Sequence, residues 1–133
     1  MNNEITQQEH PATISPAEVG TKLGAAIVAT AEYGAFRTAE RSYQNDTQAR
    51  QLLGQFQDAQ QTLQLMRQLG SDTTEAAQRL ENLQQAIEAN QTLKSYFNAQ
   101  EELVTLLREL NEFISERLNL DFAGLTKPKS GCC

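Results

Sequence analysis

Apolar side chains recur at alternating spacings of three and four residues in two long segments of the chain. The first segment, about Thr47 to Leu69, carries Ala49, Leu52, Phe56, Ala59, Leu63 and Met66 in this order. The second runs from about Gln91 or Asn98 to Asn119 and carries Tyr96, Leu103, Leu107, Leu110 and Ile114, with Leu106 and Phe113 beside them. This spacing is that of a coiled-coil seam. It predicts two long helices, each with one apolar face.

Shorter helices are predicted before and between the long ones. The run Ser15-Pro16-Ala17-Glu18 has the residues of a capping box, with a hydroxyl at N-cap, Pro at N1 and Glu at N3. It predicts a helix from Ser15 to a break near Thr30, followed by a helix over Ala31 to Tyr43. A further helix is predicted from about Thr74, with an interruption at Asn90.

Three boundary residues support these divisions. Asp46 is suited to end one helix and to cap the next, because its short carboxylate can accept from free backbone N–H groups. Gly70 stands where a helix C′ glycine is expected. Asn90 is expected to interrupt the fourth helix. Each of the three therefore predicts a helix end.

Composition favours the same fold class. Leu, Ala and Gln each occur 16 times, whereas Val and Ile together number eight, and the three Pro are at positions 11, 16 and 128. Strong helix formers thus dominate over strand formers. We predict an all-α antiparallel bundle of about four to five helices, two of them long. Residues 1–14 are expected to be a disordered tail, 15–122 the helical domain and 123–133 a flexible C-terminal tail.

Charge and hydropathy exclude several classes of function. The net charge is −6 and only four Lys are present. The sequence therefore lacks the basic face with which proteins bind a phosphate backbone, and direct nucleic-acid binding is not expected. No apolar run approaches the roughly 20 residues that span a bilayer. The first 14 residues do not resemble a signal peptide. A cytoplasmic protein without membrane contact is predicted.

Catalytic residues are not evident. The single histidine, His10, lies in the N-terminal tail. The pairs Glu101-Glu102 and Glu109-Glu112 lack the Glu-x-x-His pattern of helical di-iron proteins and are expected on a solvated helix face. Phosphate-binding glycine loops and the nucleophile elbow are also absent from the sequence. The sequence therefore predicts a protein that is not an enzyme.

The two cysteines, Cys132 and Cys133, are the last residues of the chain. A vicinal disulfide would be strained, because adjacent Cα atoms lie about 3.8 Å apart. As metal or cluster ligands, two thiolates need further ligands from a partner or a second subunit. Lipidation and free reactive thiols are further alternatives. An alternative function, a redox or iron–sulfur sensor acting through these thiols, stays open.

Self-association is the predicted mode of action. A helix with a wide apolar stripe must bury that stripe against other helices. Four or five helices in one chain can cover each other's stripes only in part. A symmetric dimer is the commonest arrangement. The residues expected in the core or the subunit seam are Phe56, Leu63, Met66, Leu103, Leu107 and Leu110.

The order of features from about Val19 to Leu118 is similar to that of a known family. The first half contributes Leu23-Gly24-Ala25-Ala26-Ile27, Glu32-Tyr33, Phe36, Ala39, Asp46, Ala49 and Leu52-Leu53. The second half contributes Phe56, Gln60, Leu63, Gly70, Leu83, Ile87, Asn90, Tyr96, Ala99 and the amphipathic segment from Glu101. In this order and spacing the chain resembles the YlbF/YmcA/YheA group of small bacterial helical proteins, often called cell-fate regulators.

The resemblance implies an all-α, oligomeric protein without catalysis of its own. It implies a subunit of a heteromeric complex, formed with related family members, that assists ribonuclease-dependent mRNA maturation. Through that complex, competence, sporulation and biofilm programmes are affected. Some members carry C-terminal cysteines associated with iron–sulfur clusters, and by that analogy Cys132 and Cys133 would be ligands. This chain departs from them in having only two cysteines, both at its end.

Overall fold

The computed structural model describes residues 13–127, which contain six α-helices and no strand. The all-α fold class predicted from the sequence is confirmed, with a short sixth helix beyond the expected count. Contacts divide the chain after Thr30 into two compact units. The helices are α1 (Pro16–Val28), α2 (Ala31–Asn45), α3 (Thr47–Gln68), α4 (Thr74–Ala89), α5 (Gln91–Leu118) and α6 (Phe122–Thr126).

Helix α1 is the helix that the described residues of the first unit form. Ser15 occupies the N-cap position and Pro16 the first helical position, as expected, but the Ser15 side chain makes no capping hydrogen bond. The prediction that the Ser15 hydroxyl caps the helix is therefore wrong. Pro16 already has the φ angle of a helix and no N–H group to satisfy. The first backbone bond, from Val19 N to Ser15 O at 3.1 Å, forms without a side-chain cap.

The second unit is a hairpin of two interrupted helical arms. One arm is α2 followed by α3, and the other is α4 followed by α5. Helix α2 packs mainly on α5, and α3 mainly on α4. The turn between α3 and α4 includes Gly70 at φ +67°, a left-handed conformation that suits glycine at the end of a helix. The first arm is interrupted at Asp46 and the second at Asn90. The sequence predicts a helix end at both residues.

The core of the described part is thin. Its buried hydrophobic residues are Ala39, Ala49, Ala59, Leu63, Leu93 and Ala99. Alanine at the contact positions lets the helix axes approach closely, but it buries little apolar area per residue. Leu93 is the large side chain that is completely enclosed. Most other apolar side chains on the inner faces are half-buried.

The predicted domain boundary at residue 122 falls at the start of α6. Asp121 caps this five-residue helix by accepting from Gly124 N at 3.0 Å. The rest of the predicted C-terminal tail, from residue 128 through Cys132 and Cys133, lies outside the described residues. The same is true of His10 and of the N-terminal tail up to residue 12.

Candidate oligomerisation surface

The pairing of α2 with α5 is fixed by an aromatic cluster at its centre. The rings of Tyr43 and Tyr96 stack with their centroids 5.0 Å apart, and Phe36 lies 5.9 Å from Tyr96. Phe97, the next residue on α5, contacts Tyr96 at 5.6 Å and is 40% exposed. Such ring pairs stabilise beyond their buried area by about 0.5–1.5 kcal/mol. They hold α2 against the first half of α5.

A hydrogen-bonded junction joins the two arms at the level where both are interrupted. Asp46 caps α3 by accepting from Ala49 N at 3.0 Å, and its other oxygen accepts from Thr92 Oγ1 at 2.7 Å. Asn90 caps α5 by accepting from Leu93 N at 3.0 Å. The Ala49 backbone N–H, and then the Thr92 hydroxyl, lower the pKa of the Asp46 carboxyl below 3.8. The charged form of Asp46 is thus the one that the junction favours.

Helix α2 covers only part of α5. Glu32, in the first turn of α2, lines the same groove as Leu106 and Glu109 of α5. Because the two helices run antiparallel, the residues of α5 from Leu110 to Leu118 lie beyond the start of α2. We call residues 110–118 the distal segment of α5. It is about 13 Å long at the usual helical rise.

Within the second unit, α6 packs on one side of this distal segment. Asn111 Oδ1 accepts from Ala123 N at 3.1 Å, and Ser115 Oγ accepts from Phe122 N at 3.1 Å. The chain reverses after Leu118 through Asn119, which has a left-handed backbone at φ 53°. The side of the distal segment that bears Asn111 and Ser115 is therefore the one that α6 covers.

The predicted seam residues of α3 lie on its inner face. Leu63 is buried at 5% exposure, and Phe56 and Met66 are half-buried. Ala59 of α3 and Met66 also line a groove shared with Ala76 of α4. These residues are brought together within one chain, where they form the contact between α3 and α4.

The predicted seam residues of α5 are less covered. Leu103 and Leu110 are half-buried, and Leu107 is 42% exposed. Two further large apolar side chains, Phe113 at 56% and Leu118 at 52%, stay exposed on the distal segment. The sequence places Phe113 beside the apolar stripe, but neither Phe113 nor Leu118 is among the six seam residues predicted from it. Within the second unit, three large apolar side chains of the second half of α5, on different sides of the helix, are thus left partly uncovered.

Charged side chains lie near the exposed Phe113 ring and along the neighbouring groove. The guanidinium carbon of Arg117 lies over the ring of Phe113, 4.8 Å from its centroid. Four carboxylates, those of Glu32, Glu101, Glu102 and Glu109, line the groove between α2 and α5. A ring and cation at this distance attract each other. The surface near the distal segment therefore combines an acidic groove with the Arg117 guanidinium held over an aromatic ring.

Residues 13–127 hold no group of three or more His, Cys, Asp or Glu placed to bind a metal ion. The pair Cys132 and Cys133 falls outside this range, so the predicted ligation stays a prediction. Over the same range, none of the helices has the length and apolar character required to cross a membrane.

Comparison with known proteins gives the family. The sequence profile described as "Control of competence regulator ComK, YlbF/YmcA" matches residues 18–119. A UPF0342 protein of Streptococcus equi subsp. zooepidemicus (strain MGCS10565) is 35% identical over 98 residues, which cover 73% of this chain and 87% of the relative. A UPF0342 protein of Streptococcus pyogenes serotype M5 (strain Manfredo) is 32% identical over the same shares.

A more distant relative matches over a longer stretch of the chain. The UPF0342 protein of Desulfitobacterium hafniense (strain Y51) is 27% identical over 112 residues, 84% of this chain and 81% of its own length. The family profile spans all five helices from α1 to α5, including both interruptions of the arms. The resemblance drawn from the residues alone is confirmed, and the chain belongs to the YlbF/YmcA family.

Proposed function

We propose that this chain is a non-catalytic regulatory adaptor of the cytoplasm that acts by associating with copies of itself and with related proteins. The observation that carries the proposal is the imbalance between a thin core and the large apolar side chains that stay exposed on α5. Four of the six buried residues in the described part are Ala, whereas Leu107, Phe113 and Leu118 of α5 remain 42–56% exposed. Burial of such side chains against a neighbour stabilises by about 25 cal/mol per Å². Association is the route by which this family member gains that stabilisation.

The absence of catalysis is part of the same proposal. All buried residues among positions 13–127 are Ala or Leu, so the interior there holds no titratable group away from water. Catalytic acids, bases and nucleophiles are usually tuned by such environments. The carboxylates of the groove between α2 and α5 are solvated and mutually repulsive instead. This supports a binding role, in which the acidic groove meets basic side chains of a partner.

Sedimentation equilibrium tests the association directly. We expect a mass above that of the 14.8 kDa monomer at micromolar concentration. Leu107→Asp is expected to shift the mass toward the monomer while the helical circular dichroism is retained, since a 42% exposed side chain tolerates a charge in the separate chain. Leu69→Asp, at the 70% exposed position beside the hairpin turn, is the matched control. A monomeric wild-type protein across the accessible concentrations would refute self-association.

For the regulatory role we propose a place in a complex that assists ribonuclease-dependent mRNA processing. The family match supports it, because the family description names control of a competence regulator. The test is affinity purification of the tagged chain from its own cytoplasm, read by mass spectrometry. We expect related family members and ribonuclease subunits at stoichiometric yield. Their absence from a preparation in which the oligomer is intact would refute this role and leave self-association standing.

A further inference from the structure

The two arms of the second unit are built alike. In each arm a helix of 15 or 16 residues is followed by a capping residue, which is Asp46 in the first arm and Asn90 in the second, and then by a longer helix. Each cap accepts from the backbone N–H group three residues later, at 3.0 Å. The residues that carry these N–H groups, Ala49 and Leu93, are both 0% exposed. The junction therefore repeats one local structure in both arms, around two enclosed residues.

The junction separates two pairs of helices. Helix α2 packs mainly on α5 and α3 mainly on α4, so each pair combines one helix from each arm. At the junction the N–H groups of Ala49 and Leu93 bond to side-chain oxygens, not to the backbone carbonyls that a continuous helix would supply. The angle between the two pairs therefore depends on side chains at the junction. Hinges in proteins commonly lie at such ends of helices.

A hydrogen bond between side chains joins the arms at this point. Thr92 Oγ1 donates to Asp46 Oδ2 at 2.7 Å, while Asp46 Oδ1 accepts from Ala49 N. Thr92 is half-buried, and its χ1 angle is restricted because the residue is β-branched. A hydroxyl hydrogen bond is lost beyond about 3 Å, so this bond forms at one relative placement of the two arms. The bond is also strong for its type, because its acceptor is a carboxylate.

We propose that the bond from Thr92 to Asp46 is a latch, which holds the α2–α5 pair and the α3–α4 pair at one fixed angle. When the bond is absent, the angle between the pairs varies, while the contacts within each pair persist. The second unit then has a latched and an unlatched state, and a binding partner that prefers one of them shifts their populations. The latch operates within one chain and does not depend on the proposed self-association.

Distance measurements by electron spin resonance test the latch. Spin labels are attached at Gln64→Cys on α3 and Arg108→Cys on α5, which are exposed positions on different pairs, in a C132S/C133S background without other thiols. An excess of unlabelled protein removes the distances between subunits. Thr92→Val keeps the shape of the side chain and deletes its donor. We expect the distribution of label–label distances to become about twofold wider in this variant.

Two matched variants control for the substitution. Thr92→Ser keeps the hydroxyl and is expected to retain the width of the wild-type distribution. Thr105→Val makes the same change at an exposed position of α5 and is also expected to leave the width unchanged. Hydrogen exchange gives an independent measurement. In Thr92→Val the amide of Ala49, which Asp46 accepts from, should exchange about tenfold faster, while the amide of Leu63 within α3 keeps its wild-type rate.

The latch is overturned if Thr92→Val leaves the distance distribution as narrow as in the wild type. Equal broadening in Thr105→Val or in Thr92→Ser overturns it as well, because the hydroxyl of Thr92 is then not what fixes the angle. An increase in exchange as large at Leu63 as at Ala49 also counts against it, since that result indicates a general loss of stability. Thermal melts followed by circular dichroism show that each variant is folded, which is expected because Thr92 is only half-buried.

Discussion

Truncation of Leu93 is expected to destabilise the second unit more than any other single Leu→Ala change in the described chain. Leu93 is 0% exposed, and it is the large side chain that is fully enclosed. It lies in the first turn of α5, where its backbone N–H donates to Asn90 Oδ1 at 3.0 Å. It therefore packs at the level where both helical arms are interrupted. The run of backbone hydrogen bonds within each arm is broken at this level.

The magnitude follows from the atoms removed. Leu93→Ala deletes three buried carbon atoms, which at about 0.8 kcal/mol each amounts to about 2.4 kcal/mol of lost transfer free energy. The cavity left behind adds to this, because the surrounding structure relaxes only in part, and gives a total of about 3–4 kcal/mol. The control is Leu65→Ala on α3, where the side chain is 56% exposed and the expected cost is about 0.5 kcal/mol or less.

Equilibrium unfolding in urea, followed by circular dichroism at fixed protein concentration, measures both changes. The concentration must be fixed because association contributes to the apparent stability. A cost for Leu93→Ala below about 1 kcal/mol, or one no larger than that of Leu65→Ala, would show that Leu93 is not enclosed as described. The reasoning about the thin core would then be refuted as well.

Three further predictions concern the helix ends and the terminal thiols. Because the pKa of Asp46 lies below 3.8 in the folded chain, the stabilisation by its charged form is present above about pH 4 and is lost as the pH falls through the folded pKa. Asp46→Asn should lower the melting temperature at pH 7 and flatten its decrease in acid; an unchanged acid profile contradicts this. Gly70→Ala should cost about 1 kcal/mol, since φ is +67° there, whereas Gly54→Ala inside α3, where an added Cβ meets nothing within 4 Å, should stabilise by about 0.5–1 kcal/mol. Equal effects of the two changes in urea unfolding would refute the assigned turn. Anaerobically purified protein should show visible absorbance if Cys132 and Cys133 bind an iron–sulfur cluster, and C132S/C133S should remove it; a colourless wild type excludes the cluster.

The helix ends were largely predictable because they depend on local chemistry. Asp46, Gly70 and Asn90 each act through backbone groups within three or four residues, and short polar or flexible residues at the end of a periodic run indicate this. Ser15 shows the limit of the same reasoning, because the residue types of a capping box were present and the hydroxyl bond was not. The apolar periodicity predicted the inner face of α3 for a similar reason, since it requires only that the segment be helical.

The tertiary features were not predictable from the pattern. The bond from Thr92 to Asp46 joins residues 46 positions apart, and nothing in either local sequence specifies the other. Helix α6 depends on Asn111 and Ser115 as acceptors for its first N–H groups, and a five-residue segment has too little periodicity to indicate a helix alone. Likewise, the stripe on α5 gives no sign of where α2 stops covering it. That boundary, which separates core from candidate interface, follows only from the antiparallel pairing.

The shared level of the two interruptions has a mechanical consequence. A continuous helix resists bending along its whole ladder of backbone hydrogen bonds, whereas here each arm lacks that ladder at one point. The bond from Thr92 to Asp46 spans both points. The α2–α5 end and the α3–α4 end of the hairpin can therefore tilt relative to each other about the level of Asp46 and Asn90, with the loss of few backbone hydrogen bonds. A binding partner at one end can then be accommodated without disturbing a contact already made at the other.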